Sequence, residues 1–274
     1  MQRPPSTTWK SLAAWLILLP ISVVGAAGPK NAQNGASTSQ KDKQDAIRAI
    51  PFRRMKPEMA KKLRAITSST SVYRRMPVKS IQCDKDLFTF LVRQPHVIVS
   101  MWHVMDITNV QLKKLAPYRY RAADGAGTNC DIELVYGTPN LHVYLAEGFY
   151  QGNLFRRKLT GRCVLVLRTK HINRPGRANV VESKMDVFLK IDNVGLQLVA
   201  RTFHPLVGKT ADSNFGESMQ FLGQVSRVAE KNGVRMKNLA VRLKNVDIPT
   251  KRKLVELSVQ AQQRSRLRVA KKSK

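Results

Sequence analysis

Acidic residues are scarce in this 274-residue chain, where 18 Asp and Glu stand against 48 Lys and Arg for a formal net charge of +30. Cysteine is scarcer still: Cys83, Cys130 and Cys163 are the whole supply, too few for a disulfide-stapled miniprotein. No Cys-x-x-Cys occurs, and none of the five histidines has another at the i, i+4 spacing of a helical zinc site, so no metal is assigned. Gly208-Lys209-Thr210 ends like a phosphate-binding loop, but the glycine that loop needs five positions earlier is Phe203, which excludes it. Asp124-Gly125-Ala126-Gly127 is followed by a strand pattern where a dinucleotide fingerprint would open a helix, so it reads as a hairpin turn and no cofactor follows from it. After the N-terminus no second apolar run offers a membrane span.

The one long apolar run, residues 12–24, follows Arg3 and Lys10 and precedes the small residues Gly25, Ala26 and Ala27. That pattern is a secretory signal peptide over residues 1–27, which places the mature chain in the periplasm or cell envelope. An uncleaved signal anchor is the alternative; the run is shorter than the roughly 20 residues of a spanning helix and contains Pro20. Residues 28–77 read as a basic, disordered linker, because residues 30–44 alternate polar and basic types with little to bury. Within it, residues 57–66 form one helix with Pro57 in the first turn and Met59, Leu63 and Ile66 on one face.

From residue 78 the pattern becomes a series of elements. A strand over residues 78–83 leads to Asp84, a plausible N-cap for an apolar helix over 85–93, and Pro95 starts a second helix. Six strand candidates follow, at 109–115, 118–123, 129–136, 141–150, 159–171 and 180–192, joined by connections short enough to require an antiparallel meander. Alternation makes rows of Cys130, Ile132, Leu134 and Tyr136, of Leu141, Val143, Leu145, Glu147 and Phe149, and of Met185, Val187, Leu189 and Ile191. The row ending in Phe149 carries Glu147 toward the covered face, where burial would raise its pKa; a bulge at Gly148 would turn it to the rim instead. Cys130 and Cys163 belong to strands with another between them, about 9.5 Å apart and beyond bridging range, so all three thiols are expected buried and free. Val207, Ala211, Phe215, Met219, Leu222, Val225 and Ala229 form the stripe of a long amphipathic helix that can cover the sheet.

A strand, two short helices, a six-strand meander and a long helix, closing on the run from Met185 through Asp192 to Phe203-His204-Pro205, resemble the START-like (SRPBCC) superfamily over residues 78–233. The resemblance implies an α+β helix-grip fold, a curved antiparallel sheet wrapped around the long helix, in an exported bacterial member. It further implies a cavity between sheet and helix for a lipid-like or other hydrophobic ligand. Tyr136, Tyr144, Glu147, Phe203, Phe215 and Met219 are the pocket candidates, with Phe215 expected in the core and Met219 on the cavity wall. Which face is concave decides whether Tyr136 and Glu147, or Tyr144 and His142, line that cavity.

Residues 234–274 form a basic helical extension, with Leu254, Leu257, Ser258 and Ala261 along one side of its second helix. Arg264, Arg266, Arg268, Lys271 and Lys272 make its end a candidate polyanion site, for an anionic membrane or envelope surface before nucleic acid. No nucleophile, base and oxyanion set is evident, so the reading is a noncatalytic binding or carrier protein. The alternatives are a cyclase or lyase using Glu147, Tyr136 or Tyr144 in the same cavity, and an envelope structural protein with basic arms.

Overall fold

The computed structural model describes residues 35–152, 155–175, 177–192, 208 and 210–272. In chain order its elements are helices α1 (Gln40–Ala49) and α2 (Pro57–Ser68), strands β1 (Val72–Arg75) and β2 (Lys79–Gln82), and helices α3 (Lys85–Arg93) and α4 (Pro95–Val104). Strands β3 (Gln111–Ala116), β4 (Arg119–Ala123), β5 (Thr128–Gly137), β6 (Leu141–Gly152), β7 (Phe155–Ile172) and β8 (Val180–Ile191) follow. Helices α5 (Ala211–Lys231), α6 (Gly233–Arg242) and α7 (Ile248–Lys272) complete the chain. Strands β3 to β8 form the expected antiparallel meander, and β1 and β2 both pair with β8 at its far edge, so the sheet order is β1-β8-β7-β6-β5-β4-β3. This is the α+β helix-grip architecture. The signal-peptide residues 1–27 and Phe203 lie outside the described residues.

Turn chemistry sets the meander. At the β4 to β5 hairpin Asp124 Oδ1 accepts from the backbone N–H of Ala126 and Thr128 at 2.7 and 2.9 Å. Gly125 and Gly127 there have φ of 71° and 117°, values that side chains with a Cβ rarely adopt. Asp84 caps α3 as expected, accepting from the N–H of Asp86 and Leu87.

Both faces of the sheet are covered, and the cross-strand register shows how. Tyr120, Ile132, Ala146, Cys163 and Leu189 pair in succession across β4 to β8, so they share one face. That inner face joins Phe88, Leu91, Phe215, Met219 and Leu222 from α3 and α5 in the main core. Glu133, Leu145, Val164, Phe188 and Tyr73 pair in the same way one residue along, on the opposite face. There Val143, Leu145, Val164, Val166 and Phe188 pack against Ala46, Ile50, Leu63 and Ile66 of the N-terminal segment. The row from Leu141 to Phe149 therefore belongs to the outer face and not to the face of Ile132 and Met185. A strand covered on both sides is apolar in both of its rows, and alternation alone does not tell one row from the other.

The N-terminal segment differs from the expected linker. Residues 40–44, assigned by composition to a disordered spacer, form the first half of α1, and Val72–Arg75 makes an edge strand. Ion pairs hold α1 where apolar burial is slight, since Ala46 is its one buried residue. Asp186 of β8, with a side chain 0% exposed, accepts from Arg75 Nε at 2.7 Å and Arg168 Nη2 at 2.6 Å. Tyr73 donates its hydroxyl to the same carboxylate at 2.7 Å, and burial and Asp186 together push the Tyr73 phenol pKa well up. The two arginines then reach α1, Arg75 to Asp42 and Asp45 and Arg168 to Asp45. Next along the chain, α2 seals the outer face with Leu63 and Ile66, both 0% exposed, each contributing about 1.5–3 kcal/mol by burial.

Candidate functional site

Two inward-pointing tyrosine hydroxyls end on α3. Tyr144 of β6 is buried and donates to the Val92 carbonyl at 2.5 Å, and Tyr120 of β4 donates to the Arg93 carbonyl at 2.9 Å. These are last-turn carbonyls of α3, which a helix leaves without intrahelical partners. Burial raises both phenol pKa values, so the hydroxyls remain donors. Anchored in this way, α3 turns one side to a pocket of about 360 Å³ between α3, α7 and the sheet end. Asp86, Phe90 and Arg93 line it from α3, Tyr118 and His171 from the sheet end, and Leu257 from α7, with Lys85 and Lys253 at its charged side.

Arg93 is the distinctive group of this pocket. Its Nε donates to Nε2 of His142, which is 0% exposed, at 3.2 Å. Burial first, then Arg93 and His171, lower the His142 pKa to about 4, so the imidazole is neutral with its proton on Nδ1. That Nδ1 has no hydrogen-bond partner among the described residues, and neither has Nδ1 of His171. His171 is fixed by an Nε2 contact of 3.1 Å to the Pro139 carbonyl and by an edge-on Phe88 ring at 6.2 Å. No carboxylate pairs with Arg93 among the described residues, whereas Asp86 is held by Arg264 at 3.3 Å. The pocket thus presents an uncompensated guanidinium beside apolar walls, a combination suited to an anion with an apolar body.

The pocket candidates read from the sequence do not converge on one site. A register shift between Leu134 and Tyr136 moves Tyr136 out of the row of Cys130 and Ile132. It packs with the outer cluster, accepting from Arg54 Nη1 at 3.4 Å. Glu147 is also on the outer side, paired with Lys62 of α2 at 2.5 Å with its side chain 38% exposed. Neither faces α5, so the inward pair is Tyr144 and His142. Phe215 and Met219 are each 1% exposed in the same inner core.

The basic extension differs as well. Arg264 makes two 2.8 Å hydrogen bonds to Asp84, and Arg268 pairs with Glu230 of α5 at 2.7 Å. Both tie α7 to its neighbours and are committed to structure, while Arg266 is exposed. Lys271 and Lys272 form the end of α7, and their side chains lie outside the described residues. Sequence reasoning missed Arg93, Phe90 and Tyr118. The available signal was the spacing of Asp86, Phe90 and Arg93, which places them on one side of a helix whose other side holds Leu87, Phe88, Leu91 and Val92.

The thiols are buried and free, as expected. Burial pushes Cys83, Cys130 and Cys163 up to about 12, which removes the thiolate a nucleophile needs. Among the described residues no group of three or more His, Cys, Asp or Glu could hold a metal ion.

No protein-family model matches the chain, and no curated protein matches it. Among solved structures, a conserved protein from Geobacillus kaustophilus superposes with a TM-score of 0.34 at 10% identity, over 52% of this chain and 92% of that one. XoxI from Bacillus cereus gives 0.30 at 9% identity, over 53% and 94%. The di-domain ARO/CYC BexL from the BE-7585A biosynthetic pathway gives 0.29 at 13%, over 56% and 50%. Likenesses this loose transfer neither a residue nor a ligand, and the site rests on its own geometry.

Proposed function

We propose that the chain is an exported, noncatalytic binding protein for a small organic anion with an apolar body, held in the pocket between α3, α7 and the sheet end. The observation that carries this reading is Arg93: partly buried, oriented by His142, unpaired with any carboxylate among the described residues, and set beside Phe90, Tyr118 and Leu257. The volume, about 360 Å³, falls in the range of small-molecule sites, roughly 300–1,000 Å³. A lipid-like ligand in the gap between sheet and α5 finds less support, because Phe88, Tyr120, Phe215, Met219 and Leu222 fill that space among the described residues. Binding is favoured over catalysis by the state of His142. Its one acceptor nitrogen is already engaged by Arg93, and an imidazole with a pKa near 4 is a weak general base at neutral pH.

The test is a matched pair of probes titrated calorimetrically, 1-naphthoate and the neutral 1-naphthalenemethanol. The anion is expected to bind at least tenfold more tightly, and Arg93→Gln to abolish that preference, since a charge-assisted hydrogen bond contributes about 1.5–3 kcal/mol. Equal affinity for the two probes, or an anion preference that survives Arg93→Gln, would overturn the assignment.

A further inference from the structure

Seven of the ten large apolar side chains that the described residues expose lie between residues 228 and 269. Three of them are Val234 and Val241, seven residues apart on α6, and Ile248, the first residue of α7; they are 69%, 72% and 65% exposed. Seven residues are close to two helical turns, so the valines of α6 project from one side of it. The other side is already used, because Met236 and Ala240 are buried in the main core. Val259 of α7, 40% exposed, lies beside the start of α6, its Cγ2 3.9 Å from where a Cβ on Gly233 would sit.

Charge surrounds this apolar stripe and has one sign. Residues 231–272 hold 13 Lys and Arg against two acids, Asp247 and Glu256. Asp247 is taken by Lys114 at 2.9 Å and Glu256 by Lys253 at 2.8 Å. Arg235, Lys237, Arg242 and Lys244 are exposed around the stripe. Arg264 and Arg268, the cations that composition points to, are instead consumed inside the fold.

We propose that α6, the α6 to α7 connection and the first turn of α7 form a docking surface for an anionic lipid bilayer, with Val234, Val241 and Ile248 entering the headgroup boundary and Arg235, Lys237, Arg242 and Lys244 engaging lipid phosphates. Single exposed aliphatic residues are ordinary on a protein surface; two on one face of α6 and a third at the start of α7, among cations with no acid partner among the described residues, make the pattern of an interfacial helix. The aliphatic residues decide between partners. A nucleic acid or an acidic polymer would use the cations and gain nothing from three exposed aliphatic side chains, whereas a bilayer uses both. None of the described helices is long and apolar enough to cross a membrane, so the contact is with the bilayer surface. The proposal is independent of the Arg93 pocket.

The experiment is cosedimentation of the full chain with phosphatidylcholine vesicles, with and without 30 mol% phosphatidylglycerol, at physiological ionic strength. Two variants share its N-terminus: Val234→Ser/Val241→Ser/Ile248→Ser and Arg235→Gln/Arg242→Gln. All five positions are exposed, and thermal melts check that both variants fold; Val241→Ser alone replaces the triple variant should its melt shift. The full chain is expected to bind the anionic vesicles at least tenfold more tightly than the neutral ones. Each charge contributes about fivefold at such a surface, so the arginine variant should lose about tenfold or more, and the serine variant a comparable factor. Full retention of affinity in the serine variant with loss in the arginine variant would make this a polyanion surface and overturn the bilayer assignment. Unchanged binding in both, or no binding by the full chain, would overturn it equally.

Discussion

Replacing Asp186 with asparagine keeps the shape of the outer-face hub and removes its charge. In the native chain this carboxylate, 0% exposed, receives Arg75 at 2.7 Å, Arg168 at 2.6 Å and the Tyr73 hydroxyl at 2.7 Å. Asparagine offers one acceptor oxygen and turns an NH2 donor toward groups that are themselves donors. The two guanidinium side chains, 11% and 18% exposed, would keep only Asp42 and Asp45, which are 30% and 43% exposed. Breaking a buried pair from one side costs about 3–5 kcal/mol, and the surviving acids place the expected loss near the lower end, about 3 kcal/mol. For a folded unit of this size each kcal/mol moves Tm by about 2–4 °C, so a drop of roughly 6–12 °C is expected by calorimetry. Hydrogen exchange should localise the effect, with faster exchange in α1, whose anchor is Arg75 and Arg168. Asp45→Asn, at a more exposed position, should cost about 1 kcal/mol or less. A loss below about 1 kcal/mol for Asp186→Asn would refute the view that this carboxylate is the electrostatic anchor of the N-terminal segment.

Acid stability should report the two buried imidazoles. Burial lowers the pKa of both His96 and His142 to about 4, below the unfolded value of about 6.5. The unfolded chain therefore takes up protons first, and stability should fall as pH drops from about 6.5 to 4 and level off from this source below that. Urea midpoints across this range should shift less in His96→Gln, and a flat profile in the parent protein would contradict the assignment. A Cβ on Gly148 would sit 2.1 Å from the Asn129 carbonyl oxygen and 2.4 Å from Cys130 Cβ, so Gly148→Ala should destabilise the chain by several kcal/mol; a denaturation midpoint within error of the parent would count against this register of β5 and β6. Phe215→Ala and Met219→Ala should cost about 3–5 and 2–5 kcal/mol as core deletions, and a Met219 variant that keeps its Tm would restore that side chain to a cavity wall. Native protein should leave all three thiols unreacted with a disulfide reagent at pH 8, with three equivalents reacting after unfolding.

Local chemistry made much of the fold legible. The helix over residues 85–93, its Asp84 cap, the hairpin at Asp124 to Gly127 and the buried row of Leu254, Leu257, Ser258 and Ala261 on α7 all agree with the structure. Each depends on residues a few positions apart, whose spacing and capping chemistry act through the local backbone. Strand order followed too, because short connections leave one way to pair. The faces of the sheet did not, since rows alternate identically when both sides are covered, and the register of β6 with β5 and β7 is what sends Val143 and Leu145 one way and Tyr144 and Ala146 the other. One irregularity between Leu134 and Tyr136 then moved Tyr136 across the sheet, and pairing with Lys62, 85 positions away, took Glu147 out of contention as a buried acid. The roles of the charges were likewise tertiary. An arginine reads the same in a sequence whether it meets Asp84 across 180 positions, as Arg264 does, or lines a pocket with no carboxylate paired to it among the described residues, as Arg93 does. Periodicity and turns are set by neighbours along the chain, whereas pairing, burial and the identity of the free charge depend on which distant elements pack together.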